Sequence, residues 1–268
     1  MLRDITLGQY YQTDSVIHRL DPRVKLGATI VFIISLFLFQ SFVGYLVAAL
    51  FLITVIKLSK VPFKFMVKGM KAIVFLLFIT VFFQLFLTPG EVVISIWKLT
   101  ITKEGIKAAL FMGTRLVFLI IGSSVMTLTT TPNNLTDGME KMLNPLKIFK
   151  VPVHEVSMMM SIALRFIPIL LEETDKIMKA QIARGADFES GNLIKKAKSL
   201  VPLLVPLFIS AFRRANDLAM AMEARCYRGG EGRTKMKPLI YKKRDYIAYC
   251  VLAGYVVCGF VLERLIIL

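Results

Sequence analysis

"LGATIVFIISLFLFQSFVGYLVAALFLITVI", residues 26–56, holds no charged side chain. It is longer than the roughly 20 residues one helix needs to cross a bilayer core. "FQSFVGY" around Gly44 can turn a hairpin inside it, so the stretch reads as two short spans, 26–40 and 42–56; one long helix is the alternative. Each short span is thinner than a usual core, so tilt, local thinning or snorkelling by Lys25 and Lys57 must help.

Three more charge-poor runs follow. They are 72–88 ("AIVFLLFITVFFQLFLT", closed by Pro89-Gly90), 108–130 ("AALFMGTRLVFLIIGSSVMTLTT") and 246–262 ("YIAYCVLAGYVVCGFVL"), the last flanked by Asp245 and Glu263. With 56% hydrophobic residues in 268, the reading is one polytopic all-α membrane protein with about five transmembrane helices. The N-terminal membrane domain covers 1–130 with four spans, 131–245 is a cytoplasmic helical segment, and 246–268 is the last span. The N-terminal segment shows no cleavable signal, so the first span is expected to direct insertion.

The basic residues set an orientation. Lys57, Lys60, Lys64, Lys68 and Lys71 crowd the connection between spans two and three. Positive-inside places the N-terminus, this connection and the segment after span four in the cytoplasm, and five spans send the C-terminus outside. The net charge of +16 therefore suits anionic lipid, and no nucleic-acid-binding motif accompanies it.

Other chemistry finds little support. His18 and His154 stand alone, without metal-ligand spacing. "RGGEGRTK" (228–235) lacks the spacing of a phosphate-binding loop. Cys226, Cys250 and Cys258 form no disulfide framework, and the last two read as packing residues. Arg115 is the one charge inside a span, where snorkelling or capping of a carbonyl is expected of it. No Asp, Glu, Lys or His lies in the five runs, which weakens an autonomous secondary carrier or channel. No acidic or histidine cluster supports a membrane enzyme acting on lipid.

Segment 131–245 holds more than half of the Lys and Arg residues yet stays rich in Leu, Ile, Met and Ala. It reads as helices over about 133–146, 153–184 and 192–226, partly amphipathic and lying at the membrane face. Pro168 should kink the second, and Pro202 and Pro206 should bend or break the third. Ala211, Ala215 and Ala219 recur every fourth residue, a stripe of small side chains that permits close helix crossing, and Ala180 with Ala183 does the same earlier. The second and third helices each end in Ala-Arg plus a small residue: Ala183-Arg184-Gly185 and Ala224-Arg225-Cys226. One such arginine could simply offset a helix dipole, worth about 0.3–1 kcal/mol. Two of them can present two equivalent guanidinium forks to two similar carboxylate-lined grooves.

These blocks, "ARG" (183–185) and "ARCYRGG" (224–230) after "ALRFIPILLEE" (163–173), resemble the T component of energy-coupling factor (ECF) transporters, which is similar to the membrane Q component of cobalt importers. The likeness covers about 130–235 closely; Cys226, where the first copy has glycine, is the departure. The resemblance implies a coupling subunit of an ABC-type importer of vitamins or transition-metal ions, with two long arginine-tipped coupling helices. It implies as partners two cytoplasmic ATPase subunits, held by residues 183–185 and 224–226, and a substrate-binding integral membrane subunit. Met158, Met159, Met160, Leu203, Leu204, Leu207 and Phe208 are the candidate contacts for that subunit. It also implies no cofactor on this chain, since ATP and Mg²⁺ would be bound by the ATPases. Arg228 and Arg233 read as ordinary solvent or lipid-facing charges. The transported substrate is not legible.

Overall fold

The computed structural model describes residues 10–70, 73–96, 99–188, 193–230, 236 and 238–267. In chain order these form α1 (Pro22–Leu38), α2 (Phe42–Ser59), α3 (Phe63–Met70), α4 (Val74–Leu87), strands β1 (Val92–Ile96) and β2 (Leu99–Thr102), α5 (Lys103–Thr129), α6 (Pro132–Leu143), α7 (Val153–Ala183), α8 (Leu193–Ala224) and α9 (Lys243–Ile267). Two compact units result. One joins Gly8–Lys141 to Leu239–Leu268, and the other contains Met142–Pro238. Among the described residues four helices are long and apolar enough to cross a membrane, namely α2, α5, α7 and α9, and α4 is apolar but shorter. The chain is thus an all-α polytopic membrane protein. The antiparallel β1–β2 pair, following the Pro89-Gly90 loop, is an addition to the all-helical reading, although Leu99-Thr100-Ile101-Thr102 does alternate apolar and polar residues.

The uncharged opening stretch is two helices. Its turn falls at Phe39–Ser41, and Ser41 caps α2 by accepting from the Gly44 amide at 3.3 Å. Gly44 therefore lies inside the first turn of α2 rather than in the hairpin. Its role is clearance: a Cβ there would stand 2.9 Å from the Phe39 side chain, and one on Gly259 of α9 would stand 2.4 Å from the ring tip. Phe39 fills that slot with no exposure. Around it, Phe32, Leu36, Tyr45, Leu52, Val125 and Tyr255 join α1, α2, α5 and α9 in one core. The Tyr255 hydroxyl is satisfied by Ser35 at 2.6 Å, and its ring stacks on Phe51. The short α3, unforeseen within the basic connection, adds a fully buried Met66 to this core.

Asp245 and Glu263 are not flanks but buried anchors, 1% and 7% exposed. Asp245 accepts from its own Lys242 amide at 2.8 Å, as an acid in the first helical turn reaches back to its N-cap. Its other oxygen accepts from the Asp21 amide at 2.9 Å. Asp21 in turn caps α1 through the Arg23 amide and pairs with the Arg23 guanidinium at 2.8 Å. That guanidinium lies over the Tyr241 ring and donates to the Leu239 carbonyl. At the far end Glu263 accepts from the amides of Gln40 and Ser41, at 2.6 and 3.2 Å. α1 and α9 are therefore parallel neighbours pinned at both ends. The two carboxylates stand eighteen residues apart, about 27 Å along a helix, close to the thickness of a hydrocarbon core.

Lys25 does not snorkel. It is 7% exposed, and its ammonium donates to the His18 carbonyl at 3.1 Å and to the Thr129 carbonyl at 2.8 Å. The end of α5 has carbonyls without helical partners, and the amine satisfies one of them. The Tyr11 amide binds the Leu128 carbonyl, and the Tyr11 ring meets Phe65 of α3 at 5.1 Å. The starts of α1 and α9, helix α3 and the end of α5 thus gather at one end of this unit. Arg115 donates to the Tyr45 hydroxyl at 2.8 Å, which passes the bond to the Leu36 carbonyl near the end of α1. Its guanidinium also lies 5.0 Å from the Phe37 ring. It reaches a carbonyl through tyrosine rather than directly. Cys250 and Cys258, read as packing residues, are exposed on α9.

Asp245→Ala removes the acceptor of two buried amides, each costing about 1–3 kcal/mol when left unpaired. The expected outcome is a large drop in the thermal midpoint of the detergent-solubilised chain, with Asp245→Asn, which keeps one oxygen, losing much less. Equal midpoints for Ala and wild type would contradict the anchor.

Candidate functional site

α7 and α8 close in the same way, residue for residue. At the first end the Arg184 and Ala186 amides both donate to the Gln181 carbonyl, and the Gly185 amide donates to Ile182. At the second end the Arg225 and Tyr227 amides both donate to Met222, and the Cys226 amide to Glu223. This is the closing pattern in which the residue after the arginine turns left-handed. Gly185 does so with φ +86° and Cys226 with φ +57°. Ala183, Arg184, Gly185, Ala224, Arg225 and Cys226 are all exposed. Neither Arg184 nor Arg225 has an ion pair with another described residue.

Prolines do not break these helices. α7 runs through Pro168, and α8 is continuous through Pro202 and Pro206. Each proline removes one rung of the hydrogen-bond ladder without ending the helix. The Asn144-Pro145 step does act as expected, since the helical chain passes there from α6 into a 3-10 turn, Asn144–Phe149.

α7 and α8 run antiparallel. The Tyr227 hydroxyl meets the Met158 sulfur at 3.1 Å, while Arg214 pairs with Glu173 at 3.0 Å. Between these contacts Ile162, Phe166 and Leu170 face Ala211, Ala215 and Ala219 across a shallow apolar cleft. Ala180 is exposed and is not among the residues lining this cleft. Arg184 lies eleven residues beyond Glu173, and Arg225 lies eleven beyond Arg214. The ion pair is therefore the midpoint of an approximate two-fold arrangement. Because the helices are antiparallel, the arginines leave it in opposite directions, and at 1.5 Å per residue they end up to about 33 Å apart.

The two tips differ in their surroundings. Arg225 lines an open groove with Arg165, Arg228, Ser161 and Tyr227. Arg228, read in the sequence as a lesser charge, thus shares the groove of Arg225. Gly230 closes the second tip against the His154 ring, where a Cβ would fall 2.4 Å from it. Arg233 lies outside the described residues. Of the apolar candidates, Met159, Met160, Leu204 and Phe208 are exposed, while Leu203 is buried, Leu207 is half-buried and Met158 is engaged with Tyr227.

Comparison with known proteins bears on this geometry. A family model described as cobalt transport protein (CbiQ) matches residues 13–236. The energy-coupling factor transporter transmembrane protein EcfT of Clostridium kluyveri is 57% identical over 268 residues, covering 99% of this chain and 98% of that one. The protein of the same name in Bacillus subtilis is 48% identical, with 91% and 93% covered. The chain belongs to the family of ECF transporter T components. It is a membrane component of such a transporter, and its relatives' names point to transport rather than to an enzyme.

In this T component the pairing of Glu173 with Arg214 escaped the sequence reading, although its signal was present. The 41-residue offset that superposes Arg184 on Arg225 also superposes Glu173 on Arg214. Arg165 had no such signal, because Arg225 lies sixty residues further along the chain, across the α7–α8 connection.

A residue held at φ +86° favours glycine, and nothing stands within 4 Å of a Cβ at Gly185, so only backbone strain opposes a side chain there. Gly185→Ala is expected to weaken the end of α7 by about 1 kcal/mol, and Cys226→Gly to strengthen the end of α8 by a similar amount. Hydrogen exchange at the Ala186 and Tyr227 amides measures both: about five-fold faster in the first variant and slower in the second.

Proposed function

We propose that this chain is the coupling subunit of an importer, converting ATP-driven motion of two cytoplasmic ATPase subunits into motion of a separate substrate-binding membrane protein. The observation that supports this best is the matched pair of exposed helix ends. Two identical hydrogen-bonding patterns, each carrying an arginine, diverge from one antiparallel crossing. A motor of two similar subunits offers two similar slots, and a guanidinium fork suits a slot lined by carboxylates. Alanine and a small residue beside each arginine leave room for entry.

ATP binding and release would change the separation of the slots. The tips would follow, and the α7–α8 crossing would open or close as a rigid-body movement. The exposed Met159, Met160, Leu204 and Phe208 are candidates to carry that movement to the substrate-binding protein, and flexible methionine suits a surface that refits. The basic connection around α3 favours the cytoplasm for the α1 and α9 starts and the coupling helices, with the C-terminus outside the cell membrane. ATP and Mg²⁺ would be held by the motor subunits. The cargo would be selected by the substrate-binding protein; vitamins and transition-metal ions are the classes considered.

Arg184→Glu with Arg225→Glu is the direct test. Each reversal places like charges in a desolvated contact, where loss of a pair costs about 2–5 kcal/mol. The double variant is expected to insert normally, to lose co-purification with the ATPases by well over an order of magnitude, and to support no transport in liposomes. Unchanged ATPase binding with unchanged transport would refute the reading. Transport by the purified chain alone, without ATP, would establish an autonomous carrier instead.

A further inference from the structure

We propose that a cavity in the membrane unit binds one anionic glycerophospholipid, with its phosphate at Lys25 and Arg244 and an acyl chain along the apolar walls. The cavity holds about 230 Å³ and is open along one side. It lies where α1 and α9 begin and α2 and α5 end. Its walls are formed by side chains such as Phe32, Phe51, Val55, Val125, Val251 and Leu252. The threonines that line it offer no hydroxyl hydrogen. Thr29 donates to the Lys25 carbonyl, Thr54 to Leu50 and Thr129 to Val125.

The remaining polar lining is cationic. Lys25 is 7% exposed, and an ammonium has three donors. Two go to the His18 and Thr129 carbonyls, and the third has no partner among the described residues. The Arg244 Nε is buried and has no hydrogen-bond partner among the described residues. Asp21 and Asp245 favour the Lys25 charge through space, but neither hydrogen-bonds to Lys25 or Arg244 among the described residues. Asp21 is taken by Arg23, and Asp245 by two backbone amides. Neither lines the cavity.

Two under-satisfied cations at one end of a greasy, part-open pocket call for a ligand with an anionic head and an apolar body. A free inorganic anion would meet the cations and leave the walls unfilled. A zwitterionic lipid would fill the walls and bring its own cation to the head. Asp245 marks the level in the membrane, since it sits at one end of the roughly 27 Å span set by the two anchors of α9. That is the depth of a head group.

The test uses the full chain purified in mild detergent and offered equal amounts of phosphatidylglycerol and phosphatidylcholine. Native mass spectrometry reads what is retained. The expected result is one phosphatidylglycerol per chain. Arg244→Gln should reduce its retention about five-fold, the effect of one cation on an anionic lipid. Lys25 also holds the end of α5, so its substitution is not a clean probe. Ala28→Phe is the second variant: it fills the cavity, leaves both cations in place and should also expel the lipid. Equal retention of the two lipids, or unchanged retention in both variants, overturns the proposal. So does inorganic phosphate raising the thermal midpoint as far as phosphatidylglycerol does. Retention of no lipid together with a dimer peak assigns the cavity to a second copy and overturns it equally.

Discussion

A backbone amide with no partner inside a bilayer costs several kcal/mol, and helix ends expose such amides. In this protein the carboxylates of α9 answer that cost at both faces of the membrane unit. Asp245 takes the first amide of α1 and one of its own, and Glu263 takes the two amides of the α1–α2 turn. Since the acceptors are spaced along one rigid helix, they also fix the register of α1 against α9. The Phe39 slot, the Ser35–Tyr255 bond and the gathering of chain segments at one end all rest on that register.

The same logic, with the charges reversed, operates at the end of α5. There the unpaired group is a carbonyl, and Lys25 supplies the donor. Charges that look misplaced in an apolar protein are each assigned to a backbone group left over by a helix terminus. Arg115 fits this rule through Tyr45. What the rule leaves over, among the described residues, is one unpartnered donor on Lys25 and another on Arg244, both lining one cavity.

The coupling helices work on a different principle. Among the described residues their meeting is held by the Glu173–Arg214 pair, the Tyr227–Met158 contact and a stripe of alanines facing apolar side chains. Glu173 and Arg214 are part-exposed, at 27% and 38%, so their bond is screened and modest. A crossing held by a screened pair of this kind can change angle at small cost. The long helices themselves are continuous through their prolines.

Membrane character, the two-helix reading of 26–56 and the repeated Ala-Arg ends were legible in the sequence alone, because each is a local property: hydropathy over one helix length, or the residue types that end a helix. The likeness of the two ends was legible too, since left-handed closure favours the small residues found there. Tertiary structure decided the rest. It turned Asp245, Glu263 and Lys25 from flanking charges into buried anchors, because a charge's burial depends on which distant backbone groups need it. It ran α7 antiparallel to α8 and so sent Arg184 and Arg225 to opposite ends, because direction of approach is set by packing across the crossing and not by any residue near either tip.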